Sequence, residues 1–80
     1  MSASPAALLE RILNQRVTLR LKDERDLAGT LVGLDEHLNL VLDEAAETSS
    51  TTRKRLGRIV VRGSNVITLR ADGSAPARAA

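Results

Sequence analysis

Apolar and polar residues change rhythm several times along the chain, and each change marks an element. Leu8, Leu9, Ile12 and Leu13 recur at helical spacing behind Ser4, a capping residue, and Pro5, which suits a first helical position. Together they predict a short amphipathic helix over about residues 5–14. In Arg16–Leu21 the rhythm becomes alternation, with Val17, Leu19 and Leu21 on one side and Arg16, Thr18 and Arg20 on the other, the period of a half-buried strand. The polar run 22–25 is its turn. Asp26–Leu34 is apolar again but contains Gly29 and Gly33, which predict a strongly curved second strand. Residues 38–43 set Leu38, Leu40 and Leu42 against Asn39, Val41 and Asp43, a third strand. The stretch 45–52 is small, polar and poor in strand formers, and reads as an exposed loop. Two more strands are expected, over 55–62 through Leu56, Ile59, Val60 and Val61, and over 65–70. Residues 71–80, rich in Ala, Gly, Pro and Ser without periodicity, read as a disordered tail.

One helix followed by five short strands, with connections short enough to favour antiparallel neighbours, predicts a mainly β fold. The expected form is a small barrel of the SH3 or OB kind in a single domain over residues 1–70. With 80 residues and no cysteine, the chain has neither a disulfide framework nor a thiolate zinc site to supplement its core. A domain of this size buries only about 60% of the surface its unfolded chain exposes, so self-association is an early expectation. The absence of cysteine makes a reduced, cytoplasmic location the default. The apolar run 6–9 is too short for a signal-peptide core or a membrane span, so no membrane partner is expected.

Charge is unevenly distributed behind a net +2. Residues 1–22 carry four basic groups and one acidic, 23–47 one basic and eight acidic, and 48–80 seven basic and one acidic. Such segregation permits a basic surface on a nearly neutral molecule, which suits a phosphate backbone. The triplet Arg53-Lys54-Arg55 reads as a solvated charge run that is also available to phosphates, and Arg11, Arg16 and Arg20 as a second solvated basic surface.

Two stretches match a known pattern. Residues 17–42, with an apolar strand through Gly33 and then Asp35, three residues and Asn39, resemble the first Sm motif; residues 56–67, centred on Arg62-Gly63, resemble the second. In order and extent the chain is similar to the Sm-like (LSm) family of archaeal type. The resemblance implies an N-terminal helix stacked on a strongly bent five-stranded antiparallel SH3-like barrel. It also implies a homo-oligomeric ring, heptameric or alternatively hexameric, in which the fourth strand of one subunit pairs with the fifth strand of the next. Ile59, Val60, Val61, Val66, Ile67 and Leu69 are then the expected interface residues. Read locally, Gly63-Ser64 looks like a two-residue hairpin turn of type II′, whereas the family uses this position as a corner. The double-sided apolar character of both flanking runs agrees with the family.

The same resemblance assigns single-stranded, uridine-rich RNA as partner and a set of binding residues. His37 would face a central pore and stack on a base, Asn39 would match the carbonyl and imino hydrogen of uracil, and Asp35 would hold Asn39 or its loop in place. Arg62 would stack on the opposite face of the base while Gly63 lets the backbone approach, with Ser64 standing where many family members carry an acidic residue. Taken alone, His37 is an exposed loop histidine, Asn39 an ordinary strand or turn amide, and Arg62-Gly63 the start of a turn. Without Phe, Tyr or Trp, each subunit lacks the aromatic platform that gives about 1–3 kcal/mol per stacked base, so affinity is expected to come from repeated sites around a ring. A scaffold or chaperone in RNA processing or ribonucleoprotein assembly follows. The alternative is an SH3-like protein-interaction module using the acidic span 23–47. An enzyme is the weakest reading, since His37 beside Asp35 and Glu36 has no nucleophile, metal-ligand set or phosphate loop around it. No catalytic residue, metal site or cofactor is expected.

Overall fold

A computed structural model describes residues 4–71. The first element, α1 (Pro5–Glu10), is set by its sequence signals: the Ala7 N–H donates to Ser4 Oγ at 3.1 Å and proline occupies the first turn. It is shorter than the expected 5–14. From Arg11 the chain tightens into turns in which each N–H reaches back three residues, Arg11 to Leu8 O (3.2 Å), Ile12 to Leu9 O (3.0 Å) and Leu13 to Glu10 O (3.4 Å). Asn14, at φ 71°, ends the run in the left-handed conformation that asparagine tolerates well. Its N–H donates to Leu31 O and the Leu31 N–H to Gln15 O, stitching the segment to the sheet, while Leu9, Ile12 and Leu13 pack on the core.

Five strands follow: β1 (Arg16–Leu21), β2 (Asp26–Leu34), β3 (Leu40–Thr48), β4 (Arg53–Val61) and β5 (Val66–Ala71). They form one antiparallel sheet in the order β4-β3-β2-β1-β5. The register of β2 with β3 shifts between Ala28 and Thr30 and again between Leu31 and Gly33, so the sheet breaks step at the two glycines expected to bend it. Curling brings Val17, Leu19, Leu27, Leu31, Leu40 and Leu42 into one core, with Leu19, Leu31, Leu42 and Val17 fully enclosed. Ala71 closes β5, and the remainder of the expected tail lies outside the described residues.

Other expectations change as well. Residues 45–52 are not a loop: β3 continues to Thr48, and Ala45 and Ala46 are buried. Weak strand propensity is overridden because this half of β3 is paired on both sides, Ala28 and Asp26 of β2 facing Ala46 and Thr48, and Arg55 and Arg53 of β4 facing the same two residues. The connection shrinks to 49–52, closed by the Ser49 N–H on Thr52 O at 2.9 Å. The third strand also begins later, at Leu40, because Leu38 turns into the left-handed region at φ 63°. Finally, Val61 is only 7% exposed, so its side chain belongs to this subunit's own core rather than to an open face. Ile59, Val66 and Leu69 lean partly on that core, while Val60 (67% exposed) and Ile67 (56%) stand outward on the two edge strands. Gly63-Ser64 is no hairpin. A single 3₁₀ turn, Gly63–Asn65, acts as a corner that carries the chain from one edge of the sheet to the other, and β4 and β5 do not pair.

Candidate nucleic-acid interface

The loop between β2 and β3 is organised by one carboxylate. Asp35 Oδ1 accepts from the backbone N–H of both His37 and Asn39, each at 2.9 Å, and Oδ2 accepts from the Asn39 side-chain Nδ2 at 3.0 Å. Backbone bonds between Asp35 and Asn39 (3.2 Å) and between Leu38 and Asp35 (3.0 Å) close the same turn. This is how an aspartate replaces the ladder at a strand's end, by satisfying N–H groups that have no partner strand. The Asn39 backbone N–H, then its amide, hold Asp35 below the usual carboxylate range against a smaller opposing desolvation, so it is ionised at neutral pH.

An ionised carboxylate only accepts hydrogen bonds, so it must face the amide nitrogen of Asn39 and leave Oδ1 and the second N–H pointing elsewhere. Asn39 therefore presents one acceptor and one donor in a fixed orientation. The neighbouring imidazole of His37 is 76% exposed, with Glu36 its nearest carboxylate at 3.7 Å, and its face is open to stacking.

The second motif meets this loop through the pairing of β3 with β4. Leu40 lies opposite Val61, so Asn39 and Arg62, each one residue beyond that pair, emerge at the same end of the sheet. Contact is tightest one step further on, where a Cβ placed on Gly63 would overlap the Leu38 carbonyl oxygen and come within 2.9 Å of the Leu38 Cβ. Only glycine lets the corner seat here. The corner is fixed in turn by Asn65, whose N–H donates to Arg62 O (2.9 Å) and whose carbonyl accepts from the Lys22 N–H (2.8 Å). Among the described residues no carboxylate lies in ion-pair reach of the Arg62 guanidinium, which stays available, and Ser64 is exposed beside it.

All six candidate residues, Asp35, His37, Asn39, Arg62, Gly63 and Ser64, thus lie on two segments that touch. Leu38 is the residue that sequence reasoning missed: its backbone is the surface against which Gly63 packs, and a leucine in a left-handed conformation carries no signal in the pattern. The arrangement offers a planar cation, an imidazole and a fixed amide, which suits a base held by stacking and edge recognition. No group of three potential metal ligands occurs among the described residues.

Comparison with known proteins points the same way. The LSM domain family matches residues 7–71. An snRNP Sm-like protein of Methanococcoides burtonii is 43% identical over 68 residues, covering 84% of this chain and 94% of that protein. The crystal structure of the P. aerophilum SmAP1 heptamer superposes with a TM-score of 0.80 at 31% identity, covering 89% of this chain and 96% of the other. A Pyrococcus abyssii Sm protein solved in complex with a uridine heptamer gives 0.77 at 36% identity, covering 86% and 99%.

Proposed function

The chain belongs to the LSM-domain family, and on that premise we propose that it assembles into a ring which binds uridine-rich single-stranded RNA, one base per subunit, as a scaffold or chaperone rather than a catalyst. The observation that carries this reading is the contact between Leu38 and Gly63, which makes one site of the Asp35–Asn39 loop and the Arg62 corner. In that site Asn39 reads the uracil edge through its free acceptor and donor, Arg62 and His37 stack on the base, and Asp35 keeps the amide from rotating.

Assembly is supported by the sheet order, which leaves β4 and β5 as open edges bearing Val60 and Ile67. Joining the β4 edge of one copy to the β5 edge of the next satisfies both rows of backbone groups and covers both side chains. It also remedies the weakness of the single site. Several copies acting on one strand gain about 10²–10⁴ in avidity.

Native mass and base preference test the reading together. The expected particle is six or seven times 8.6 kDa, with oligouridine bound more tightly than oligocytidine. Asn39→Ala should remove that preference, whereas Arg62→Ala should weaken binding to every sequence and lower its salt dependence. A monomer in dilute solution, or equal binding of the two oligonucleotides by the native protein, overturns the reading.

A further inference from the structure

The far half of β3 and β4 encloses a groove of about 630 Å³ that shares no residue with the base site. Its floor is Ala45, Ala46 and Gly57, and its rim carries the guanidinium groups of Arg16, Arg53 and Arg55 with Glu44 beside them. Two basic stretches distant in sequence converge here. Arg53 and Arg55, two residues apart on β4, share a face; Arg16 arrives from β1, its Nη1 donating to Thr30 Oγ1 (3.5 Å) and to Glu44 O (3.4 Å).

The backbone is arranged around this space. The β3–β4 register breaks between Leu42 and Ala45, with Glu44 at φ 49° and Gly57 at φ 78°, and nothing lies within 4 Å of where a Gly57 Cβ would stand. A non-glycine residue in the left-handed region costs free energy and is found preferentially where function holds it. The charges also differ from those nearby. Arg20, Arg25 and Arg58 are ion-paired with Asp26, Asp23 and Asp43, whereas no carboxylate lies in ion-pair reach of Arg16, Arg53 or Arg55 among the described residues.

We infer that this groove is a second, sequence-independent RNA site, in which Arg16, Arg53 and Arg55 bind the phosphodiester backbone of a strand whose bases are read elsewhere on the ring. The inference rests on the function proposed above. Three unpaired guanidiniums match phosphate oxygens and carry no base discrimination. Counted back from Arg62 along β4, Arg55 is seven residues away and Arg53 nine, at most about 23 and 30 Å at about 3.3 Å per residue, spans that a few further nucleotides cover.

The test uses intact particles of the full chain and two oligouridines, one of about one nucleotide per subunit and one of about twenty nucleotides. Arg53→Gln/Arg55→Gln should leave the short RNA unaffected and weaken the long one about tenfold, lowering its log K against log salt slope by about 1.4, for two phosphates at about 0.7 each. Arg16→Gln, on an interior strand, supplies the same readout should the β4 pair disturb assembly, with particle mass checked in each case. Unchanged affinity for the long RNA overturns the inference, as does an equal loss for both lengths. Binding of labelled polyglutamate that the same substitutions abolish also overturns it, in favour of an acidic protein partner. A native protein that binds neither RNA removes the base site as well, whereas retained short-RNA binding with an unaltered long-RNA response removes the groove alone.

Discussion

The two ends of β3 solve opposite problems. At the Leu40 end the loop is held by hydrogen bonds: Asp35 spends both oxygens on Asn39 and His37, and the Gly63 corner sits against Leu38 without room for a methyl group. At the Thr48 end no carboxylate lies in ion-pair reach of Arg16, Arg53 or Arg55 among the described residues, and the Gly57 position is open. Reading a base edge demands donors and acceptors fixed within a narrow range of angles, which a hydrogen-bonded loop supplies. Holding a phosphate demands charge, which tolerates mobility. On the proposed reading, the hydrogen-bonded loop is where discrimination is needed.

Substitutions at the two glycines should separate these ends most sharply. Gly63→Ala forces a methyl group into the Leu38 carbonyl; overpacking of this kind costs about 1–3 kcal/mol, or a fall in Tm of about 4–8 °C for each kcal/mol, and oligouridine binding should be lost with it. A variant with unchanged Tm and affinity would show that the corner and loop are not mechanically joined. Gly57→Ala meets no atom and carries only the left-handed backbone penalty of about 1–2 kcal/mol, so short-RNA binding should persist while stability drops modestly. Calorimetry and anisotropy on both variants make the contrast quantitative.

Asp35→Ala comes next. It frees two backbone N–H groups and the Asn39 amide without creating a cavity, so uridine preference should fall at least as far as in Asn39→Ala while global stability changes less than in Gly63→Ala. The pH dependence is a finer version of the same experiment. Asp35 has a folded pKa below its unfolded value, so its contribution is fully present above the ordinary carboxylate range and is lost as pH falls through the lower folded value. The amide resonance of Asn39 should move only once the pH has fallen below the ordinary carboxylate range, and Asp35→Asn should abolish that movement. The smallest effect is expected from Arg58→Ala, which breaks an exposed pair with Asp43 at 3.0 Å; a change in Tm beyond experimental error there would mean that the pair braces the register break beside it.

Much of the fold was legible because its signals are local. Ser4 and Pro5 start the helix, alternation marks β1, and Gly29 and Gly33 coincide with the two register shifts of β2. What escaped depends on partners distant in the chain. Ala45 and Ala46 become strand only by lying between β2 and β4, and the phase break at Glu44 comes from a backbone angle that glutamate does not advertise. That the Val61 side chain faces in is hidden by an apolar run, which does not show which of its members do. The site was legible as two motifs by resemblance, but their junction at Leu38 was not, since leucine there serves through its main chain. Arg16, Arg53 and Arg55 read as separate solvated charges in the sequence, and the curled sheet brings them around one groove.

The corner Gly63–Asn65 sends the chain from one flank of the sheet to the other and leaves the two flanks unlike. A molecule with two different flanks has a direction, and copies added through them follow one another nose to tail. How many would complete a circuit is then decided by the angle turned at each step, and a second, related polypeptide with the same pair of flanks could enter the circuit without any new contact being invented.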